Sequence, residues 1–271
     1  MSLKPAGVAV VALLMLGAAP PDPLVRARTL YNQQQYDAAI LAAREARRRA
    51  DVADVAGVVL ARAHLERYRS SADAADLAAA RETLVTIDTG RLAPRDRHDL
   101  TVGYGELLYF DGRFGAAAEM FSSALGSGGA SGAAGPSDRE SVLDWWAIAL
   151  DREAQLAASP ERRRIYARVL DRMEPAAAAE PPSAVAMYWL AAAAAGADDP
   201  ARAWHAAVAG WIRAPLAAGP RASLRADLER LVERVIIPTR AQLPAAGGDA
   251  RRAAAAMHAE WESIKEIGIR R

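Results

Sequence analysis

The sequence predicts an all-α protein in which helix packs on helix, and three observations carry that expectation. About a quarter of the residues are alanine, the residue that loses no side-chain rotamer freedom on entering a helix. Aromatic residues make up 6% of a chain that is 52% hydrophobic, so its core is built from small side chains that let helices approach closely. Runs of Val, Ile and Thr with alternating polarity, the mark of strands, are nearly absent. A chain of 271 residues has room for one large domain or two small ones.

The first element reads as a leader. Lys4 supplies charge, Ala6 to Leu16 is uninterruptedly apolar, and Gly17, Ala18 and Ala19 are small, which is the layout of a secretory signal peptide. The run is too short to span a bilayer, and Pro20 and Pro21 end any helix there. Residues 1–19 are therefore expected to be a signal, cut near Ala18 or Ala19. No later stretch has spanning length and apolarity, so no stable membrane span is expected once the leader is gone.

Helices follow in order. Asp22 is the expected N-cap of the first, with Pro23 at its first position. Ala27 and Leu30 lie on that helix, Gln33–Gln35 form a turn, and Tyr36, Ala39, Ala43 and Ala46 lie on the second. Val52–Tyr68 and Asp76–Ile87 read as a looser pair joined by a polar loop. The clearest hairpin runs from His98 to Leu125. It has Tyr104, Gly105 and Leu108 on one helix, a turn at Asp111-Gly112-Arg113, and Phe114, Ala117, Phe121 and Ala124 on the next. Gly105 and Ala117 fall where the two helices cross, where bulk would push them apart. Gly126–Ser137 is rich in Gly, Ser and Ala and is expected to break the helix, as a loop or a joint between two lobes. Asp138–Ala158 and Pro160–Met173 form another pair, with Ser159 as cap. A further copy spans Ser183–Ala214, with a turn at Asp198-Asp199. Ser223–Ile237 repeats leucine and valine at intervals of three and four and is expected to stop at Pro238. A last helix begins after the cap Asp249 and carries Trp261 and Ile264 on one stripe. The division is a leader (1–19), N-terminal hairpins (20–126), a Gly/Ser-rich loop (127–137), C-terminal hairpins (138–242) and a terminal helix (249–271).

The spacing of large, small and aromatic residues from His98 to Leu125 resembles the tetratricopeptide repeat. Pro23–Arg47 and Ser183–Ala214 follow it more loosely, with Thr101 standing where the family often has Trp and Pro200 where it prefers an aromatic. The resemblance implies an α-solenoid of helix hairpins closed by a C-terminal capping helix. It also implies an inner wall, lined by the first helix of each repeat, that binds a protein or peptide segment. Carried over position by position, that wall holds Arg28, Tyr31 and Asn32 in the first copy. In the clearest copy it holds Val102, Glu106, Tyr109 and Phe110, and in the late copy Tyr188. The expected function is that of an interaction or scaffold module in a bacterial cell envelope, periplasmic or secreted.

Little in the chain points to chemistry. Net charge is +1, from 34 basic and 33 acidic residues, which gives no general drive toward nucleic acid. The absence of cysteine excludes disulfides, thiol catalysis and thiolate metal sites. His64, His98, His205 and His258 form no pair with metal-ligand spacing, and the glycine-rich stretch lacks the Gly-Lys-Ser/Thr ending that cradles phosphates. No cofactor is implied. Arg44 and Arg48 share a helix face able to grip a phosphate or carboxylate, though a solvated face is the plainer reading. Trp145, Trp146, Trp189, Trp204 and Trp211 suit core packing better than an aromatic cage. The rival expectation is an envelope glycan hydrolase on a helical scaffold, which requires a buried acid in a cleft beside Trp145 or Trp204. A purely structural role in an assembly is the third.

Overall fold

A computed structural model describes residues 22–131, 136–217, 221–243 and 249–269; the expected leader lies outside them. Among the described residues the protein is helical throughout, without strands. The helices are α1 (Pro23–Asn32), α2 (Tyr36–Ala46), α3 (Ala53–Ser71), α4 (Ala74–Leu84), α5 (Pro94–Phe110), α6 (Phe114–Ser131) and α7 (Pro136–Leu156). They continue as α8 (Ser159–Ala178), α9 (Ala184–Gly196), α10 (Pro200–Arg213), α11 (Arg221–Leu231), α12 (Ile237–Ala241) and α13 (Ala250–Ile269). None of the described helices is long and apolar enough to cross a membrane.

Local chemistry fixes the ends. The Asp22 carboxylate accepts from the Leu24 amide at 2.9 Å, Ser183 Oγ from Ala186 at 3.0 Å, and Asp249 from Arg252 at 3.0 Å. Each satisfies an amide that has no partner within its helix. Three inter-helix turns share one hydrogen-bond pattern. Gln33, Gln34 and Gln35 donate to Thr29, Tyr31 and Leu30; Asp111, Gly112 and Arg113 donate to Leu107, Tyr109 and Leu108; Ala197, Asp198 and Asp199 donate to Ala193, Ala195 and Ala194. The middle residue is left-handed each time, with φ of 60° at Gln34, 73° at Gly112 and 63° at Asp198. This is a Schellman-type ending, in which one left-handed residue reverses the chain and satisfies the last carbonyls.

Consecutive helices pack against each other from α1 to α10. Odd-numbered helices also touch in succession, α1 on α3, α3 on α5, α5 on α7, α7 on α9 and α9 on α11. Alanine makes the close approaches possible: Ala27, Ala39, Ala43, Ala61, Ala117, Ala147, Ala191 and Ala207 are fully buried. At the α5–α6 crossing, a Cβ on Gly105 would stand 2.6 Å from Cε1 of the buried Phe121 ring, which bears out the expected crossing point.

Three sequence expectations about helix ends fail. Ser159 does not cap α8 but opens it; the N-cap is Ala158, with no side-chain bond to the free amides. Gly126–Ser131 does not break the helix, because α6 continues to Ser131. Extending a helix already nucleated and packed over Phe114–Leu125 costs far less than starting one, so glycine is tolerated at its end. Nor does packing stop there, since one buried cluster runs from Val102 in α5 to Trp261 in α13. Pro238 likewise does not end its helix. Residues Val232–Ile236 form a π-helical turn, Ile237 donates back to Val232, and Pro238 sits in the first turn of α12, where its missing N–H costs little. Beyond it, α13 packs on α12 and α10, and Trp261 is fully buried with its ring centroid 6.0 Å from Trp204 and 5.3 Å from Trp211.

Candidate functional site

Tyr31 of the first repeat and Glu106 of the clearest one meet at a single guanidinium, that of Arg62. Helix α3 lies against both α1 and α5 and links them. Arg28 Nη2 donates to Asp96 Oδ1 at 2.5 Å, tying α1 directly to α5. The Arg62 guanidinium of α3 stands over the Tyr31 ring, 5.2 Å from its centroid, a cation–π geometry. The same guanidinium donates through Nη2 to Glu106 Oε1 and through Nη1 to Asp99 Oδ1, each at 3.3 Å. Tyr31 meets Tyr36 edge to face at 5.8 Å, and Asn32 is exposed beside it.

Glu106 is the unusual member of this group. It is 1% exposed, its Oε2 has no hydrogen-bond partner, and the Nε of Arg62 is also buried and unpartnered. Removal from water pushes the Glu106 carboxyl up to about 7, against the pull of Arg62 and with a smaller push from Glu66. The group therefore exchanges its proton near neutrality. Its burial corrects one expectation: Glu106, and Val102 at 2% exposure, lie beneath the wall and not on its surface. Val102 belongs to the main hydrophobic cluster.

Tyr109 and Phe110 are half-buried and held in an aromatic cluster that joins α3, α5, α6 and α7. Phe110 meets Tyr68 at 4.9 Å and Trp145 at 6.0 Å, and Tyr109 meets Phe114 at 5.3 Å and Trp145 at 5.2 Å. Neighbouring helices thus cover part of both rings and leave part open. Tyr188 stands apart on α9, half-buried, edge to face with Trp189 at 5.4 Å, and among the described residues no ring contact joins it to the Tyr109 cluster.

The acids nearest the tryptophans act as ties between helices. Asp144, which precedes Trp145, accepts from Trp189 Nε1 at 2.7 Å, and Asp151 accepts from Tyr166 Oη at 2.8 Å. Desolvation raises both carboxyls above their ordinary range, and their ring partners pull them back. Trp146, Trp189, Trp204 and Trp211 are all buried, as core side chains are.

Sequence reasoning missed the contribution of α3. Arg62, Glu66 and Arg69 are spaced by four and three, so they lie on one helical stripe, and Arg69 pairs with Glu66 at 2.7 Å. That charged stripe on a helix otherwise read only for its apolar residues was the available signal. Comparison with protein-family models, with curated proteins and with solved structures gives no match for this chain.

Proposed function

We propose that this chain is an exported, tetratricopeptide-like α-solenoid that binds an extended segment of a protein partner along the surface of α1, α3 and α5. The observation that carries the reading is the convergence on Arg62. Tyr31 from one repeat and Glu106 from another, chosen by their positions within the repeat, are joined by one guanidinium. Repetition is supported by the shared hydrogen-bond pattern of the turns at Gln34, Gly112 and Asp198 and by the succession of contacts between odd-numbered helices. Such stacking leaves a continuous wall built from one helix per hairpin. Exposed Arg28 and Asn32 offer that wall charge and amide hydrogen bonds, and the open edges of Tyr109 and Phe110 offer apolar area. Export rests on the leader-like residues 1–19.

Panning a displayed random-peptide library against the purified protein tests the reading. Selected peptides should lose at least tenfold in affinity, about 1.4 kcal/mol, when Tyr109 and Phe110 are both changed to alanine. They should lose as much with Asn32→Ala, an exposed change that leaves the rings and the Arg28–Asp96 pair in place. Peptides that bind both variants as they bind the parent, with the circular dichroism unchanged, would overturn the assignment of the wall.

A further inference from the structure

The basic run at the end of α2 borders a shallow cleft, with Arg44 and Arg48 exposed and Arg47 half-buried. Arg44, Arg47 and Arg48 line a cleft of about 410 Å³ between α2, α3 and α4, together with His64, Glu82 and Thr83. That volume lies within the range of small-molecule sites, about 300–1,000 Å³.

Nearby arginines are matched to carboxylates. Arg49 pairs with Asp22 and Asp51, Arg67 with Asp37 and Asp76, and Arg81 with Asp111. By contrast, no carboxylate of the described residues lies within ion-pair distance of Arg44 or Arg48, and Arg47 donates to the Thr86 hydroxyl at 3.1 Å. Glu82 is the only acid in the lining. Three guanidinium groups around one cleft, with one carboxylate among them, leave an excess of positive charge there.

His64 is the second, independent observation. It is 2% exposed, and its Nδ1 lies 2.7 Å from Asp76 Oδ1. Asp76, also 2% exposed, accepts from both Nε and Nη2 of Arg67. Those bonds hold Asp76 ionised. An ionised carboxylate only accepts, so His64 Nδ1 carries the proton that points at it. The other ring nitrogen, Nε2, is buried without a hydrogen-bond partner. With the ring neutral, Nε2 is a bare lone pair that needs a donor. The charged groups around the ring are Arg44 on α2, Arg47 and Arg48 just after it, Arg67 on α3, and Asp76 and Glu82 on α4. Burial first, then Arg67 and Arg44, disfavour a second proton on the ring, against the pull of Asp76.

We propose that the α2–α3–α4 cleft binds a phosphate group, its oxygens paired with Arg44, Arg47 and Arg48, and that as these exposed side chains move onto it a protonated phosphate oxygen reaches the enclosed His64 Nε2 and donates to it. An ionised carboxylate brings one charge and no proton, and sulfate brings two charges and no proton. A phosphate with its second ionisation near pH 6 brings both charge and an O–H. Inorganic phosphate carries that O–H as monoanion or dianion, and a monoester carries it as the monoanion; a monoester dianion takes up one proton from solvent as it binds. The cleft exceeds the size of one phosphate, so the group enters either free or as the monoester of a small molecule.

The test uses the full chain in low-salt buffer at pH 7, titrated separately with inorganic phosphate, glycerol phosphate, sulfate and acetate. Calorimetry reads affinity, and the ¹⁵N signals of the His64 ring read the site. Phosphate is expected to bind at least tenfold more tightly than sulfate or acetate and to move the Nε2 signal. Arg44→Gln with Arg48→Gln should weaken it at least tenfold, while Arg163→Gln, an exposed arginine on α8, should leave it unchanged. Tighter binding of glycerol phosphate than of inorganic phosphate identifies a monoester as the ligand, and the reverse order the free ion. Sulfate or acetate binding as tightly as phosphate, His64 signals that stay still at saturation, or an equal loss in Arg163→Gln would overturn the proposal.

Discussion

Replacing Glu106 by glutamine should stabilise this protein at pH 8 and leave it unchanged at pH 4. The carboxyl is fully enclosed, one of its oxygens has no partner, and it titrates at about 7 in the folded protein against 4.5 ordinarily. Between those values the folded chain keeps a proton that the unfolded chain has released. Stability therefore falls as pH rises through this window, is undiminished below about 4.5, and stays lowered by a constant amount above about 7. At about 1.4 kcal/mol for each pH unit, the full penalty is roughly 3 kcal/mol. Glutamine keeps the shape and hydrogen-bonding reach of the neutral acid and carries no charge to bury. Urea unfolding of the two proteins at pH 4.5, 6 and 8 reads the difference directly, and other groups that titrate in both proteins cancel. The curves should coincide at pH 4.5, and at pH 8 the glutamine variant should lead by roughly 3 kcal/mol, a rise of about 6–12 °C in Tm. A difference that does not vary with pH, or a glutamine variant that is the weaker at pH 8, would mean that attraction to Arg62 outweighs the cost of burial.

Two further predictions concern packing. Gly105→Ala places a methyl within 2.6–2.9 Å of three atoms of the Phe121 ring, and should cost about 1–3 kcal/mol in a thermal melt, with helical content retained below the transition. Trp261→Ala removes a fully buried ring from between Trp204 and Trp211. It should cost about 3–5 kcal/mol, with amide exchange accelerated first in α10 and α13; a melt that overlays the parent would show that Trp261 does not hold α13 to α10.

Elements marked by strong local rules were legible in the sequence. Asp22 and Asp249 accept from the amides expected of caps, and the Gly105 crossing follows from the spacing of small and aromatic residues. What escaped depended on contacts distant in the chain. Glu106 and Val102 were carried over as wall positions, but Glu106 is enclosed where α3 meets α5, and Val102 lies in the buried cluster that continues into α6 and α7. Charge suggested exposure for Arg62, whereas Tyr31, Asp99 and Glu106 surround it from two other helices. Gly126–Ser131 and Pro238 misled for a different reason. Intrinsic propensity speaks against a helix at both, but propagation from a packed segment carries α6 onward, and a π turn carries the last segment past its proline.

The pattern of helix contacts makes the two ends of the chain unequal under tension. From α1 to α9 each helix is held by helices one or two places away, so a pull on the N-terminus meets one hairpin at a time. Peeling α1 from α2 and α3, together with the Arg28–Asp96 pair, would leave α7 undisturbed. The other end folds back, because α13 grips α10 across the whole α11–α12 segment through Trp261. A pull there loads the tryptophan cluster before anything can peel away. The molecule is thus built to yield from its beginning and to hold at its end.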